Sequence, residues 1–275
     1  MNRRATLLVL PSLVLLAGCS SPGSPAAAHP TASAGARQAL LASVQKSAGS
    51  SFLADMTVAE SFTSTGDGRS KGIKSLAGRS LAFSVHMSAE NSNRIRLTVQ
   101  AGSALPQLDA VAVTYDGTLY VSSDGGTTFK VVPAAGAAPD QYAADNALAY
   151  LQAVGSVTDE GPGTADGVAV ERYSAQLDGT KLLALVRSAL SSVHTPIVQE
   201  LLNSITFRSG TLAVTLDHQG RIVSESGPLD VTADLSAFGA ALAGTTLHIH
   251  EVIDAHFHDY GSAVTVTKPA VIASS

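Results

Sequence analysis

The chain has 275 residues, 45% of them hydrophobic and only 14% charged, with a formal net charge of −5. A low charge density, an acidic balance and no basic patch exclude the electrostatic footprint of a nucleic-acid-binding protein. A single cysteine excludes a disulfide-stapled fold, so burial alone must hold the chain together.

The chain begins Met-Asn-Arg-Arg and runs into an almost unbroken apolar stretch, Ala5 to Ala17. That stretch is too short for a permanent membrane helix, which needs roughly 20 residues. A basic head, a short apolar core and a small-residue end describe a secretory signal, residues 1–18. Its last residues, Leu16-Ala17-Gly18-Cys19, resemble the bacterial lipobox. The resemblance implies cleavage before Cys19 and a diacylglyceryl thioether on it. Lipidation would anchor the mature chain to the cell membrane on its extracytoplasmic face, because two acyl chains hold where one does not. Arg3 and Arg4 leave Sec and twin-arginine export both open.

From Ser20 to Gly35 the chain is mostly Ser, Pro, Gly, Ala and Thr. Such a segment cannot bury a core and reads as a flexible tether over residues 19–35. At about 5–6 Å × √n it holds the rest of the chain roughly 20–25 Å from the membrane.

Residues 36–270 read as one domain, with 271–275 a tail. Ala36 to Ser47 is a short helix with Ala36, Ala39, Leu40 and Val44 on one face. Period-two alternation then marks strands. The apolar sets are Phe52, Ala54, Met56, Val58 and Phe62; Leu81, Phe83, Val85 and Met87; and Ile95, Leu97 and Val99. Val111, Val113 and Tyr115 lead through Asp116-Gly117, a strong hairpin signal, to Leu119 and Val121. Pro139 to Val154 opens on Pro-Asp and reads as a helix. Val168, Val170 and Tyr173 mark a strand, followed by helices over Leu182–Leu190 and Pro196–Leu202. Strands return at Ile205–Phe207, Leu212–Leu216, Ile222–Val223, Leu229–Leu235, Leu247–Phe257 and Val264–Val266. Strands, then helices, then strands is an α+β order with an antiparallel sheet.

Several phrases then fall into a known order. Val157-Thr158-Asp159-Glu160-Gly161 leads to Asp166-Gly167-Val168 and Arg172-Tyr173, and Leu177-Asp178 opens a helix. Val214-Thr215-Leu216-Asp217 and Gly220-Arg221-Ile222-Val223 form a hairpin. Asp259-Tyr260-Gly261, Val264-Thr265-Val266 and Pro269 close the chain. With the lipobox, this resembles the actinobacterial LppX/LprG-type lipoproteins and, more distantly, the LolA-like carriers, over roughly Ala36 to Pro269. The resemblance implies an antiparallel half-barrel sheet wrapped over helices, enclosing an apolar cavity. It implies a carrier of an acylated lipid or glycolipid within the cell envelope, with an envelope transporter as a candidate partner. The chain carries no G-x-S-x-G, no H-E-x-x-H and no phosphate-binding glycine loop, so neither an enzyme nor a cofactor is expected. Face parity then selects the cavity wall: Phe52, Met56, Val58, Leu81, Phe83, Val85, Met87, Ile95, Leu97, Val99, Val111 and Val113. Each CH₂ moved from water into such a pocket contributes about 0.8 kcal/mol, and Met adapts to irregular ligands. The same alternation would also build a dry core. The rival reading is therefore an envelope protein-interaction or sensor module that uses the sheet surface.

Three motifs point elsewhere. Ser122 to Phe129 fits the Asp box of sialidase-type propellers, but it occurs once where a propeller repeats it, so it reads as a tight hairpin turn. His248, His250, His256 and His258 invite a metal site. On a strand they share a face with Asp254, opposite Leu247, Ile249, Ile253, Ala255 and Phe257, and so point outward. At about 3.3 Å per residue the outermost two lie about 33 Å apart and cannot share one ion, so a metal site would need one pair with ligands from a neighbouring strand. Ser43-Val44-Gln45-Lys46 matches the S-x-x-K of penicillin-binding enzymes without its companion motifs.

Overall fold

In the computed structural model, residues 33–66, 78–101, 109–132, 148–165, 167–189, 196–239 and 242–271 are described. The signal, Cys19 and nearly all of the tether lie outside them.

The chain builds one antiparallel sheet of eleven strands among the described residues. The first six are β1 Phe52–Thr65, β2 Ser80–Asn91, β3 Arg94–Gln100, β4 Ala110–Tyr115, β5 Thr118–Ser122 and β6 Lys130–Val132. The other five are β7 Val154–Ala165, β8 Val168–Leu177, β9 Ile205–Asp217, β10 Ile222–Asp234 and β11 Thr246–His258. The spatial order is β6-β5-β4-β3-β2-β1-β11-β10-β9-β8-β7. Two meanders are thus joined where the last strand returns to the first. β1 and β11 pair along their whole length, from Leu53 opposite His258 to Thr65 opposite Thr246. Neighbouring strands rotate by roughly 20–25°, and an open sheet beyond about ten strands curls. This sheet stays open, with β6 and β7 as its edges.

Among the described residues three helices accompany it: α1 Ala34–Ala48, α2 Gly179–Ala189 and α3 Pro196–Ser204. α1 packs on β7, β10 and a short 3-10 helix, Ala149–Ala153; α2 packs on that 3-10 helix and β9; α3 packs on β10. Leu40, Val44, Leu148 and Leu151 from this layer join a core with Phe52, Val58, Val85, Leu212, Ile222 and Leu229 from the sheet. We call the helix-covered side of the sheet its inner face.

Local chemistry explains the joints. Asp116 and Gly117 both take positive φ, 48° and 79°, the signature of the tight hairpin turn between β4 and β5. The β9–β10 turn is held by the Asp217 carboxylate, which accepts from the Gln219 and Arg221 amides and the Arg221 guanidinium. Gly227 of β10 lies so close to β9 that a Cβ there would sit 1.7 Å from the Thr211 carbonyl oxygen.

Every expected strand but one, Val264–Val266, and the later helices are present. The first helix begins earlier than expected, at Ala34, because the Ser33 hydroxyl accepts the Ala36 amide and caps it. The helix expected over Pro139 to Val154 lies mostly outside the described residues; its end is a 3-10 turn, and Val154 already opens β7. Val264–Val266 is not a strand. Its Val266 amide donates to the Glu90 carboxylate at 3.0 Å, so this bond does not go to a neighbouring strand.

Candidate functional site

The inner face is built by cross-strand registers that carry one parity from strand to strand. Phe52, Ala54, Met56 and Val58 of β1 stand opposite Ala89, Met87, Val85 and Phe83 of β2. Met87, Val85 and Ala89 in turn face Leu97, Val99 and Ile95 of β3. On the other side Ala54, Met56 and Val58 face Phe257, Ala255 and Ile253 of β11. The apolar surface continues through Leu229 to Leu212, Val214, Tyr173 and Ala175 as one buried cluster. A second cluster, Phe62, Ala233, Leu235, Leu247 and Ile249, occupies the far end of the same strands.

Ten of the twelve expected wall residues therefore share this face. Phe52, Met56, Val58, Phe83, Val85, Met87 and Ile95 are buried in the main cluster, and Leu81, Leu97 and Val99 lie half-buried at its margin. Val111 and Val113 do not belong with them. The β3–β4 register sets Val111 opposite Thr98 and Val113 opposite Arg96, whereas Leu97 and Val99 meet Ala112 and Ala110. The two valines thus stand on the outer face, buried beneath Tyr120, Phe129 and Val266. Alternation shows which residues of a strand share a face. Which face that is depends on register across the loop, where a one-residue change reverses every side chain.

Three inner-face residues escaped the sequence reading: Glu60, Glu225 and Glu251, which are 1%, 0% and 2% exposed. Parity could have found two of them. Glu60 sits between Val58 and Phe62, and Glu251 between Ile249 and Ile253, at inward positions of their strands. Glu60 and Glu251 are direct cross-strand partners. Burial pushes the Glu225 carboxyl well above the usual carboxylate range. Burial first, and then the neighbouring Glu60 charge, does the same to Glu251. Among the described residues neither oxygen of Glu225 has a hydrogen-bond partner, nor does Oε1 of Glu251.

The outer face is chemically different. The four histidines of β11 point outward as expected. His250 pairs with Asp230 at 2.8 Å, His256 lies 3.7 Å from Asp254, and His258 bonds both Asp259 and Asp55, the latter also paired with His86. His248 contacts Thr65 at 3.3 Å. Among the described residues no group of three or more His, Cys, Asp or Glu side chains could hold a metal ion. A shallow outer cleft of about 190 Å³ is lined by Ser61, Thr63, Arg208, Asp230, Thr232, His248 and His250, among others. That volume is below the roughly 300–1,000 Å³ of a ligand-sized pocket.

Two tempting motifs resolve into local structure. In the Ser122–Phe129 turn the Asp124 carboxylate accepts from the Ser122 and Thr128 hydroxyls and from the Thr127 and Thr128 amides. These bonds, led by the one from Ser122, hold it well below the usual carboxylate range. Ser43 donates its hydroxyl to the Leu40 carbonyl one turn back in α1.

No family model and no curated protein matches the chain. Among solved structures it is similar to LprF from Mycobacterium bovis, at 16% identity over 87% of this chain and 99% of that one, with a TM-score of 0.35. It is also similar to the lipoprotein LppX of Mycobacterium tuberculosis, at 10% identity over 86% of this chain and 100% of the other, TM-score 0.32. A LolA superfamily protein from Nitrosomonas europaea follows at 8% identity, 86% and 94% coverage and a TM-score of 0.27. LppX is thus both among these structures and in the group that the sequence phrases resemble. At such TM-scores the likeness carries no functional argument.

Proposed function

We propose that this chain is a membrane-anchored lipoprotein that shelters the acyl chains of a lipid or glycolipid against the inner face of its sheet and carries them within the cell envelope. The observation that supports this reading is the continuity of that face. One apolar surface runs from Ile95 on β3 to Tyr173 and Ala175 on β8, while the outer face of the central strands carries histidines and aspartates. Acyl chains have no soluble state, so a carrier must offer an apolar surface in place of the bilayer. Met56 and Met87 on this face adapt to irregular contours. The lipobox at Cys19 supports the anchor, and the tether gives the reach. The reading assigns the chain no catalytic step.

The test is transfer of an acyl-labelled phosphatidylethanolamine between donor and acceptor phosphatidylcholine vesicles. It uses the chain from Ser20 onward, which keeps every described residue. The expected result is transfer that rises with protein concentration. Transfer no faster than in buffer would count against a carrier and favour the protein-interaction module.

A further inference from the structure

Where the two apolar clusters of the inner face meet, one row carries two carboxyls between its leucines. Its members are Leu81, Glu60, Glu251 and Leu229, side by side on β2, β1, β11 and β10. The row on one side holds Val58 and Ile253, and the row on the other holds Phe62 and Ile249. Glu251 is 2% exposed, and its Oε1 is buried with no hydrogen-bond partner among the described residues. The charged group facing it across the strands is Glu60, a like charge. Two adjacent carboxyls out of water cannot both ionise, so at least one holds a proton. Leaving such a group buried and unsatisfied is costly, because it has lost its water without gaining a partner. A leucine, as at positions 81 and 229 of the same row, would avoid that cost. The position therefore makes sense for a partner that arrives with a ligand.

We propose that Glu251, with Glu60 beside it, is the polar subsite of the inner face. Its protonated carboxyl donates a hydrogen bond to an uncharged oxygen of the ligand, an ester carbonyl or a hydroxyl, while the acyl chains lie along the apolar rows on either side. This rests on the lipid-binding reading above and deepens it. The chemistry selects against an anionic group at this row, which the carboxyl pair would repel.

The test uses phosphatidylcholine vesicles carrying a trace of octadecene, oleyl alcohol or methyl oleate. These share a chain of similar length and differ in polar group. Uptake by wild type is compared with uptake by Glu251→Leu, a ratio in which differences between the probes inside the vesicle cancel. The expected result is that Glu251→Leu takes up methyl oleate and oleyl alcohol about tenfold less, the equivalent of about 1.4 kcal/mol. Octadecene uptake should be unchanged or higher. Glu251→Gln keeps an N–H donor and should stay within about threefold of wild type. Should the leucine variant fail to fold, Glu251→Met gives the same readout. Equal loss, or no loss, across all three probes in a folded variant would overturn the subsite and leave the lipid-binding face standing. No uptake of any probe by wild type would overturn both.

Discussion

Replacing Glu225 by glutamine should stabilise the protein, and the gain should grow with pH. The carboxyl is fully enclosed, and neither oxygen has a hydrogen-bond partner among the described residues. Burial raises its folded-state pKa well above the ordinary value. The sign follows from counting protons. Above about pH 4.3 the unfolded chain releases this proton, while the folded chain keeps it up to its raised pKa. Across that window the native state binds one proton more, so wild-type stability falls as pH rises, by about 1.4 kcal/mol per pH unit. Glutamine has nearly the same shape and cannot titrate. The variant should match wild type near pH 4.5 and exceed it by a margin that widens as pH rises toward the raised folded-state pKa. Urea unfolding of the chain from Ser20 onward, fitted at each pH, measures this directly. Glu251 contributes its own slope to both proteins, so the difference curve isolates Glu225. A difference that stays flat with pH would refute the reasoning, because it would mean that the carboxyl is ionised, or reached by water, in the folded state.

Leu40→Ala should cost about 2–5 kcal/mol, because Leu40 is a large, fully buried side chain of α1; urea unfolding reads the loss. Gly227→Ala should fail to accumulate as a folded protein, because the new methyl would collide with the Thr211 carbonyl; circular dichroism and soluble yield report it. His258 should titrate above the ordinary histidine value: burial opposes its charge, but the Asp259 and Asp55 carboxylates outweigh burial. Its small stabilising contribution is therefore present below about pH 6.5 and lost as pH rises through the raised folded pKa. In an NMR titration Asp55→Asn should lower that midpoint, and an unmoved midpoint would discard the pairing. Cys19→Ser should shift the protein out of the membrane fraction, which immunoblotting of fractionated cells would show.

Much of the sheet was legible in the sequence because one buried face per strand imposes period two. β1, β2, β9 and β11 announce themselves in this way. The Asp116-Gly117 turn was legible because positive φ at both positions demands such residues. The edge strands β6 and β7 were not. β6 is three residues long, and β7 carries Gly155, Gly161, Pro162 and Gly163, whose alternation is broken by two register shifts. Val111 and Val113 show the limit more sharply: within β4 their pairing on one face is plain, but only the register against Arg96 and Thr98 says which face. The glutamates were missed for a different reason. A carboxylate reads as solvent-facing unless the parity of its strand is taken over its chemistry, and at Glu60 and Glu251 parity was the better guide. The signal of Cys19 needs no tertiary structure, since the lipobox is read as a linear segment.

The central claim is that the inner face holds acyl chains, and native mass spectrometry tests it most directly. The chain from Ser20 onward would be expressed in a lipid-containing host and purified without detergent. The expected result is a bound mass that organic extraction removes and that fragments to fatty acyl ions. A clean apo mass that stays unchanged after incubation with lipid vesicles would contradict it.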